Sequence, residues 1–185
     1  MKEKIAEACV RLLREHIADE ITVRDVAEQC GISRQAFYYY FENIESVLMY
    51  SAEGRIELLK QKCLEIPDPQ ETLRLITRSY MDQYVLLKHL IQSKSRIKVK
   101  RYYHETLHKI VKTQLEWYCR KNALDPGELE VKASFIAYGL GGLLYERCND
   151  PNLDTDKLAD EMYRFILRDV GRSFIKKGGV KNGTR

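Results

Sequence analysis

The sequence has little of what builds sheets, disulfide scaffolds or membrane spans. Alternating β-branched runs are scarce, while apolar residues recur at steps of three and four through most of the 185 residues, which is the helical period. The five cysteines are odd in number and never form a C-x-x-C pair, so neither a disulfide framework nor a zinc site is indicated. No apolar run approaches the roughly 20 residues that a bilayer demands. These absences predict an all-α, soluble protein with reduced cysteines.

Signals of secretion and of several common catalytic sites are also missing. The first residues mix charges from Lys2 onward without an apolar stretch, so we expect a cytoplasmic protein. No G-x-S-x-G, G-x-G-x-x-G or P-loop occurs, and the glycines of 139–142 lie inside an apolar helical stretch, where they cannot cradle a phosphate. We therefore expect no enzyme, no metal and no cofactor. His104 and His108 are four residues apart, and we interpret them as surface polar residues rather than metal ligands.

Charge is unevenly distributed along the chain. The formal net charge is +4, which is too small to indicate a nucleic-acid partner by itself. Residues 1–48 carry six basic and nine acidic side chains, so their balance is −3, whereas residues 94–101 hold five basic side chains and no acid. An exposed interhelical turn is the favoured interpretation of this basic run, and an anion site or a partner surface is the alternative.

The apolar periodicity divides the chain into about nine helices. Residues 1–48 are predicted to form a three-helix domain with a helix-turn-helix. Pro67 and Pro69 interrupt the next apolar stripe, and residues 49–177 are predicted to form a helical regulatory and dimerisation domain. The glycine-containing residues 178–185 are predicted to be a flexible tail.

The predicted helix within residues 128–147 is apolar on two faces. One stripe contains Leu129, Ile136 and Leu140, and the other contains Phe135 and Tyr138. A chain of this size can usually cover one such face from its own core, so a homodimer is favoured over complete burial in one subunit. The residues of this helix assigned to the dimer interface are Ala133, Ala137, Gly141, Leu144 and Tyr145.

Residues 22–41 are the most informative stretch. Thr22 has the position of an N-cap. Asp25, three residues later, takes the place of the usual Glu or Gln of a capping box. Gly31 ends that short helix, because a left-handed backbone costs glycine little, and Ser33 caps the next one. Small and apolar residues hold the second helix steeply across the first. The pattern predicts a helix-turn-helix.

The second helix of this motif is expected to project from the body of the protein and to fit a DNA major groove. Its outer side carries Arg34, Gln35, Tyr38 and Tyr39. Arg34 can pair with guanine or a phosphate, and Gln35 can read adenine. The two tyrosines are available for phosphate and thymine-methyl contacts, while the next two aromatic residues are expected to pack inward. The alternatives are a solvent-exposed Arg34 and purely structural tyrosines.

Residues 1–50 resemble the N-terminal domain of the TetR family of transcriptional regulators. The resemblance is carried by Thr-Val-Arg-Asp-Val-Ala from Thr22, Gly-Ile-Ser from Gly31 and Phe-Tyr-Tyr-Tyr-Phe from Phe37, followed by a helix that opens at Asn43. It implies an all-helical remainder with a ligand cavity and dimerisation through the last two helices. It also implies a ligand-responsive repressor that binds a palindromic DNA operator as a homodimer.

The resemblance further implies roles for individual residues. The positions that contact operator DNA in the family correspond to Thr22, Arg24, Ser33, Arg34, Gln35, Tyr38 and Tyr39. An interface on the last two helices adds Met162, Phe165 and Ile166. The candidates for the lining of a small-molecule effector cavity are Tyr80, Tyr84, His104, His108, Trp117, Phe135 and Tyr138.

One position departs from the family pattern. A lysine that faces a phosphate usually opens the fourth helix, whereas this chain has Ile44, with Glu42 and Glu45 close by. Each lost phosphate contact flattens the salt dependence of DNA binding by about 0.9 in the log–log slope. Together with the acidic balance of residues 1–48, this supports an alternative function. The alternative is a TetR-fold coactivator that binds a protein partner, as in the branch that resembles dihydroxyacetone kinase activators.

Overall fold

The computed structural model describes residues 1–15, 21–94, 96–122, 128–147, 150 and 152–166. These residues form nine α-helices and no strand, which confirms the predicted all-α class. The helices are α1 (Lys2–Glu15), α2 (Val23–Cys30), α3 (Arg34–Tyr40), α4 (Ile44–Glu65), α5 (Pro69–Asp82), α6 (Tyr84–Gln92), α7 (Arg96–Lys121), α8 (Leu129–Arg147) and α9 (Thr155–Phe165). Among these helices, none has the length and apolarity that a membrane span requires.

The domain boundaries predicted from the sequence stay predictions. Helix α4 is continuous across residue 48, where the first predicted domain ends. The predicted tail over 178–185 lies outside the described residues. By its internal contacts the chain divides into one compact unit of residues 1–60 and 79–106 and another of residues 61–78 and 107–185.

The first unit contains the three N-terminal helices. Helix α1 packs against α2 and α6, and α2 packs against α3. Ile5, Val26, Phe37 and Leu48 are fully buried there. Burial of a side chain of this size contributes roughly 1.5–3 kcal/mol, so these residues hold α1, α2 and α3 together without help from disulfides. Cys9, Cys30, Cys63 and Cys119 are buried and take part in no disulfide, as expected for reduced core thiols, and Cys148 lies outside the described residues.

Ion pairs join α5 to α9 in the second unit. Arg74 donates from Nε and Nη2 to the two carboxylate oxygens of Asp160, at 3.0 and 3.2 Å. Arg78 makes the same two-point contact with Asp156, at 2.8 and 2.6 Å. Gln70 adds a third donor to Asp160 at 3.0 Å. Two-point guanidinium–carboxylate pairs fix orientation as well as distance, so they set the rotation of α9 against α5.

Helix α8 has the two faces that the sequence predicts, but its small residues lie on the inner one. Ala133, Ala137 and Leu144 are fully buried within the subunit. A Cβ on Gly141 would stand 3.8 Å from Leu107 Cδ1, so this glycine also faces the chain's own core. Their assignment to a dimer interface is corrected here, because these positions already pack against helices of the same chain.

The outer face of α8 carries the large side chains instead. The exposed hydrophobic residues of α8 and α9 are Val131, Phe135, Tyr138, Tyr145 and Phe165. Met162 is buried, and Ile166 is half-buried. Of the residues predicted for the interface, Tyr145 and Phe165 are therefore the two that present most of their side chain to a second molecule. The dimer itself stays a prediction.

Candidate nucleic-acid interface

The turn between α2 and α3 is built around Gly31. Its φ of 65° and ψ of 36° place it in the left-handed region, where a side chain is unfavourable. The Gly31 N–H donates to the Glu28 carbonyl and the Ile32 N–H to the Ala27 carbonyl, both at 3.0 Å. This is the Schellman arrangement, which satisfies the last carbonyls of α2. It fixes the direction in which the chain leaves α2 and enters α3.

Both helices begin at the predicted caps. The Thr22 N–H and hydroxyl both donate to Asp25 Oδ2, at 2.8 and 2.7 Å, and the Asp25 N–H donates back to Thr22 Oγ1 at 3.3 Å. The Ala36 N–H donates to Ser33 Oγ at 3.1 Å. In each first turn these contacts satisfy one of the N–H groups that have no partner within the helix. Thr22 and Ser33 thus act as helix caps in the free protein, and a contact with a phosphate would be a second role for either residue.

A pair of reciprocal contacts attaches α1 to the end of α2. Lys4 Nζ donates to the Cys30 carbonyl at 2.9 Å, and Cys30 Sγ donates to the Lys4 carbonyl at 3.6 Å. A cation at a helix C-terminus also interacts favourably with the helix dipole. Helix α1 therefore holds the C-terminal end of α2, from which the turn leads into α3.

Helix α3 buries one aromatic residue and exposes the side predicted to be outward. Phe37 is 0% exposed, whereas Tyr38 is 51% and Tyr39 is 83% exposed. Arg34 and Gln35 are also exposed. The buried Phe37 ring meets Tyr38 edge-on at 5.6 Å between ring centroids. One buried ring thus orients the helix, and four polar or aromatic side chains are left for a partner.

An aromatic and charged cluster holds the end of α3 against α1 and α4. Phe41 is buried, and its ring centroid lies 5.5 Å from that of Tyr50. Lys2 Nζ stands 5.8 Å from the centroids of both rings. The Tyr50 hydroxyl donates to Glu3 at 2.8 Å, which lowers the pKa of Glu3 and raises that of Tyr50. The first helix is thereby tied to the recognition region through its initial turn.

Two charged features bear on phosphate binding. Arg24 Nε donates to Glu28 Oε1 at 2.7 Å on the exposed face of α2, and this partner raises the pKa of Arg24. A phosphate would have to share or replace Glu28. At the start of α4, the Ser46 N–H donates to Asn43 Oδ1 at 2.8 Å and the Asn43 N–H to Ser46 Oγ at 3.2 Å. This reciprocal cap leaves Ile44 half-buried in the first turn.

A family model matches this region of the chain. Residues 5–49 match the model described as bacterial regulatory proteins of the tetR family. Over these residues the chain is similar to the tetR family. A curated Bacillus subtilis (strain 168) protein, the uncharacterized HTH-type transcriptional regulator YerO, is 30% identical over 79 residues. That match covers 40% of this chain and 27% of the length of YerO.

Solved TetR-like structures resemble the chain over most of its length. The dihydroxyacetone kinase operon activator DhaS has a TM-score of 0.77 at 18% identity, with 92% of this chain and 96% of that chain covered. FadR of Thermus thermophilus, a TetR-family repressor solved in complex with lauroyl-CoA, has a TM-score of 0.65 at 16% identity, with both chains fully covered. At these identities the likeness concerns the fold.

The second unit of the chain contains a cavity of about 50 Å³. Helices α5, α7, α8 and α9 and the residue after α9 supply its lining, which consists of Pro69, Thr72, Leu73, Ile76, Ile110, Val111, Gln114, Leu115, Tyr118, Ile136, Leu140, Tyr163 and Ile166. None of the seven residues predicted for an effector cavity is among them. Sequence reasoning passed over this lining, although Gln114, a polar residue within an apolar stripe, was a visible signal.

The seven predicted effector residues are scattered in the structure. In the first unit, Tyr80 is buried against Tyr103 with centroids 5.4 Å apart. Tyr84 and His104 are half-buried there, and Lys88 Nζ lies 5.6 Å from the Tyr84 ring centroid. Their ligand role stays a prediction.

The remaining four lie in the second unit. His108 Nε2 is 3.6 Å from Glu130, and Lys121 Nζ lies 4.6 Å over the Trp117 ring. Phe135 and Tyr138 are exposed on α8. Phe135 also borders a second pocket, open between α8 and α9, of about 280 Å³. These residues do not converge on one point, and their ligand role likewise stays a prediction.

Two other sequence features are placed on α7. His104, Glu105 and His108 form an H-E-x-x-H sequence, which the sequence analysis overlooked. Within the described ranges, no group of three His, Cys, Asp or Glu residues is positioned for a metal ion. The basic run continues into the first turns of α7 rather than staying in a turn, and Lys98 Nζ lies 3.1 Å from Glu53.

Proposed function

We propose that the chain is a DNA-binding transcriptional regulator that acts as a homodimer on a palindromic operator and releases DNA when a small molecule binds. The observation that carries the proposal is the outward face of α3. Arg34, Gln35, Tyr38 and Tyr39 are exposed together on a helix that Phe37 and Gly31 hold in place. A helix of this kind fits the major groove.

The exposed side chains have complementary uses at a duplex. Arg34 can pair bidentately with guanine, and Gln35 can pair with adenine. Tyr38 and Tyr39 offer hydroxyl donors to phosphates and ring edges to thymine methyl groups. Two such helices related by a two-fold axis would enter successive grooves about 34 Å apart. Repression by exclusion of polymerase is the simplest result.

Substitution of α3 tests the DNA-binding part. Arg34→Ala combined with Tyr38→Ala removes two exposed side chains and one edge contact to the Phe37 ring, while Phe37 itself stays buried in the core, so the fold should be retained. Each good base contact contributes about 1–3 kcal/mol, so we expect binding to the chain's own upstream intergenic DNA to weaken by more than tenfold. Arg120→Ala, an exposed change at the end of α7, is the matched control. Unchanged affinity in the double variant would refute the assignment.

The dimer is proposed from the outer face of α8 and α9. Val131, Phe135, Tyr138 and Phe165 are exposed there, and contiguous apolar surface of this kind marks association sites. Phe135→Asp should convert a dimer to a monomer in sedimentation velocity. Ile97→Asp, at an equally exposed position of α7, should leave the sedimentation coefficient unchanged. A wild-type monomer at micromolar concentration would remove the two-fold geometry from the proposal.

A second candidate function is a coactivator that binds a protein partner. Its supporting observation is the start of α4, where Ile44 replaces the lysine of the family pattern and Glu42 and Glu45 surround it. DhaS, by its name an operon activator, shares the fold. Titration with upstream DNA at two salt concentrations separates the candidates. A salt-dependent shift supports DNA binding, and no shift even at low salt supports the coactivator.

A further inference from the structure

The cavity of the second unit is walled by uncharged side chains. Its described lining consists of aliphatic residues together with Thr72, Gln114, Tyr118 and Tyr163. A buried ionic group without a partner is strongly disfavoured, because transfer of a charge from water into apolar surroundings has a large unfavourable free energy. The lining therefore selects against charged ligands.

Tyr163 reports the same electrostatic environment. Burial, the nearby Asp68 carboxylate and Tyr118 together raise the pKa of Tyr163. The same causes that disfavour a phenolate at this edge of the cavity would disfavour a carboxylate of a ligand. A ligand that binds in this cavity is therefore expected to be neutral.

Gln114 gives the cavity a polar preference. Its Nε2 donates to the Cys63 carbonyl at 3.0 Å and to the Ile66 carbonyl at 2.8 Å. Both carbonyls belong to the end of α4 and the residue after it, so the amide group cannot flip without losing two hydrogen bonds. Gln114 Oε1 is buried and has no hydrogen-bond partner among the described residues, and the residue as a whole is 8% exposed. An acceptor held in this way would gain a hydrogen bond from a donor group of a ligand.

We propose that this cavity binds a small uncharged molecule with an apolar body and one hydroxyl, whose O–H donates to Gln114 Oε1. A volume of about 50 Å³ accommodates roughly four or five non-hydrogen atoms. The proposal rests on the proposed function, since it names the class of effector for that regulator. It separates this chain from FadR of Thermus thermophilus, which was solved in complex with lauroyl-CoA, because a carboxylate is charged and lacks the O–H, and a CoA thioester is both charged and too large.

Isoleucine methyl groups provide a direct readout. Four isoleucines line the cavity, at positions 76, 110, 136 and 166, whereas Ile5 and Ile21 are buried in the first unit and serve as internal controls. Protein labelled with ¹³C at the isoleucine δ1 methyls is titrated, without DNA, with 1-butanol, butanone or butyrate. We expect saturable shifts of the four lining methyls with butanol, with affinity roughly three- to tenfold above that for butanone, and none with butyrate.

Variants test the role of Gln114. Gln114→Met should abolish the preference for butanol over butanone, and Glu161→Gln, at an exposed position of α9 outside the lining, should leave it unchanged. If Gln114→Met fails to fold, the three wild-type titrations still decide. Equal shifts from butyrate and butanol, no preference for butanol over butanone, or shifts of Ile5 and Ile21 alone would overturn the proposal. These titrations contain no DNA, so the two proposals fail independently. If butanol does not bind, the DNA-binding result still stands, and if the chain does not bind DNA, the butanol result still stands.

Discussion

The left-handed backbone of Gly31 can be tested by comparison with Gly54, a glycine that differs from it in backbone conformation. Gly31 has φ of +65°, and apart from its two neighbours in the chain no described residue has an atom within 4 Å of the position that a Cβ would occupy. Gly54 also has open space around that position, but it lies inside α4 with ordinary helical geometry. Alanine at either position would meet no steric clash, so backbone conformation alone distinguishes the two substitutions.

The expected effects have opposite signs. Alanine in the left-handed region costs roughly 1–2 kcal/mol, so Gly31→Ala should lower the free energy of unfolding by about that amount. In a helix interior, alanine is favoured over glycine by roughly 0.5–1 kcal/mol, so Gly54→Ala should raise it. For a chain of this length, 1 kcal/mol corresponds to about 2–4 °C in Tm.

Urea unfolding followed by circular dichroism measures both changes. The midpoints of the two variants should move to opposite sides of the wild-type value, with unchanged m-values. A Gly31→Ala variant as stable as the wild type would contradict the left-handed turn, and with it the direction assigned to α3. A destabilised Gly54→Ala would contradict the open helical setting of that glycine.

Two further predictions concern acid stability and thiol reactivity. The pKa values of Asp160, through Gln70 and Arg74, and of Asp156, through Arg78, are lowered in the folded state, so their stabilisation is present above the ordinary aspartate pKa and is lost as pH falls through the lowered folded value. The urea midpoint of the wild type should therefore fall as the pH is lowered. Asp160→Asn should make that fall shallower, whereas the control Glu161→Gln, at an exposed site on α9, should not change it. The same pH dependence of the midpoint in all three proteins would refute this prediction. Burial raises the pKa of Cys9 and Cys63 to about 12, so at pH 8 both should resist iodoacetamide until the chain is unfolded, and mass-spectrometric detection of rapid native labelling at either would be inconsistent with the buried thiols.

The local features of the helix-turn-helix were predictable from the sequence. Thr22, Asp25, Gly31 and Ser33 act through hydrogen bonds and backbone conformations that span a few residues, so their spacing carries the information. The exposure of Tyr39 followed from helical geometry once the turn was placed. Such features depend little on the rest of the chain.

Features that depend on packing between distant helices were not predictable. Periodicity shows that α8 has two apolar faces but not which face meets the core, and Ala133 and Ala137 were accordingly assigned to the wrong one. The candidate effector residues were chosen by aromatic type. The cavity instead forms where α5, α7, α8 and α9 leave a gap, and Gln114 borders it because its amide is needed at the end of α4.

If α3 and the start of α4 face a DNA duplex, the salt dependence of binding must report the phosphate contacts that they make. Affinity for the upstream intergenic DNA is measured at several salt concentrations for the wild type, for Ile44→Lys, and for Ile97→Lys as a control with the same charge change on exposed α7. We expect salt-sensitive binding by the wild type and a log–log slope steeper by about 0.9 in Ile44→Lys alone. No binding by the wild type even at low salt, or equal slopes for the two lysine variants, would contradict it.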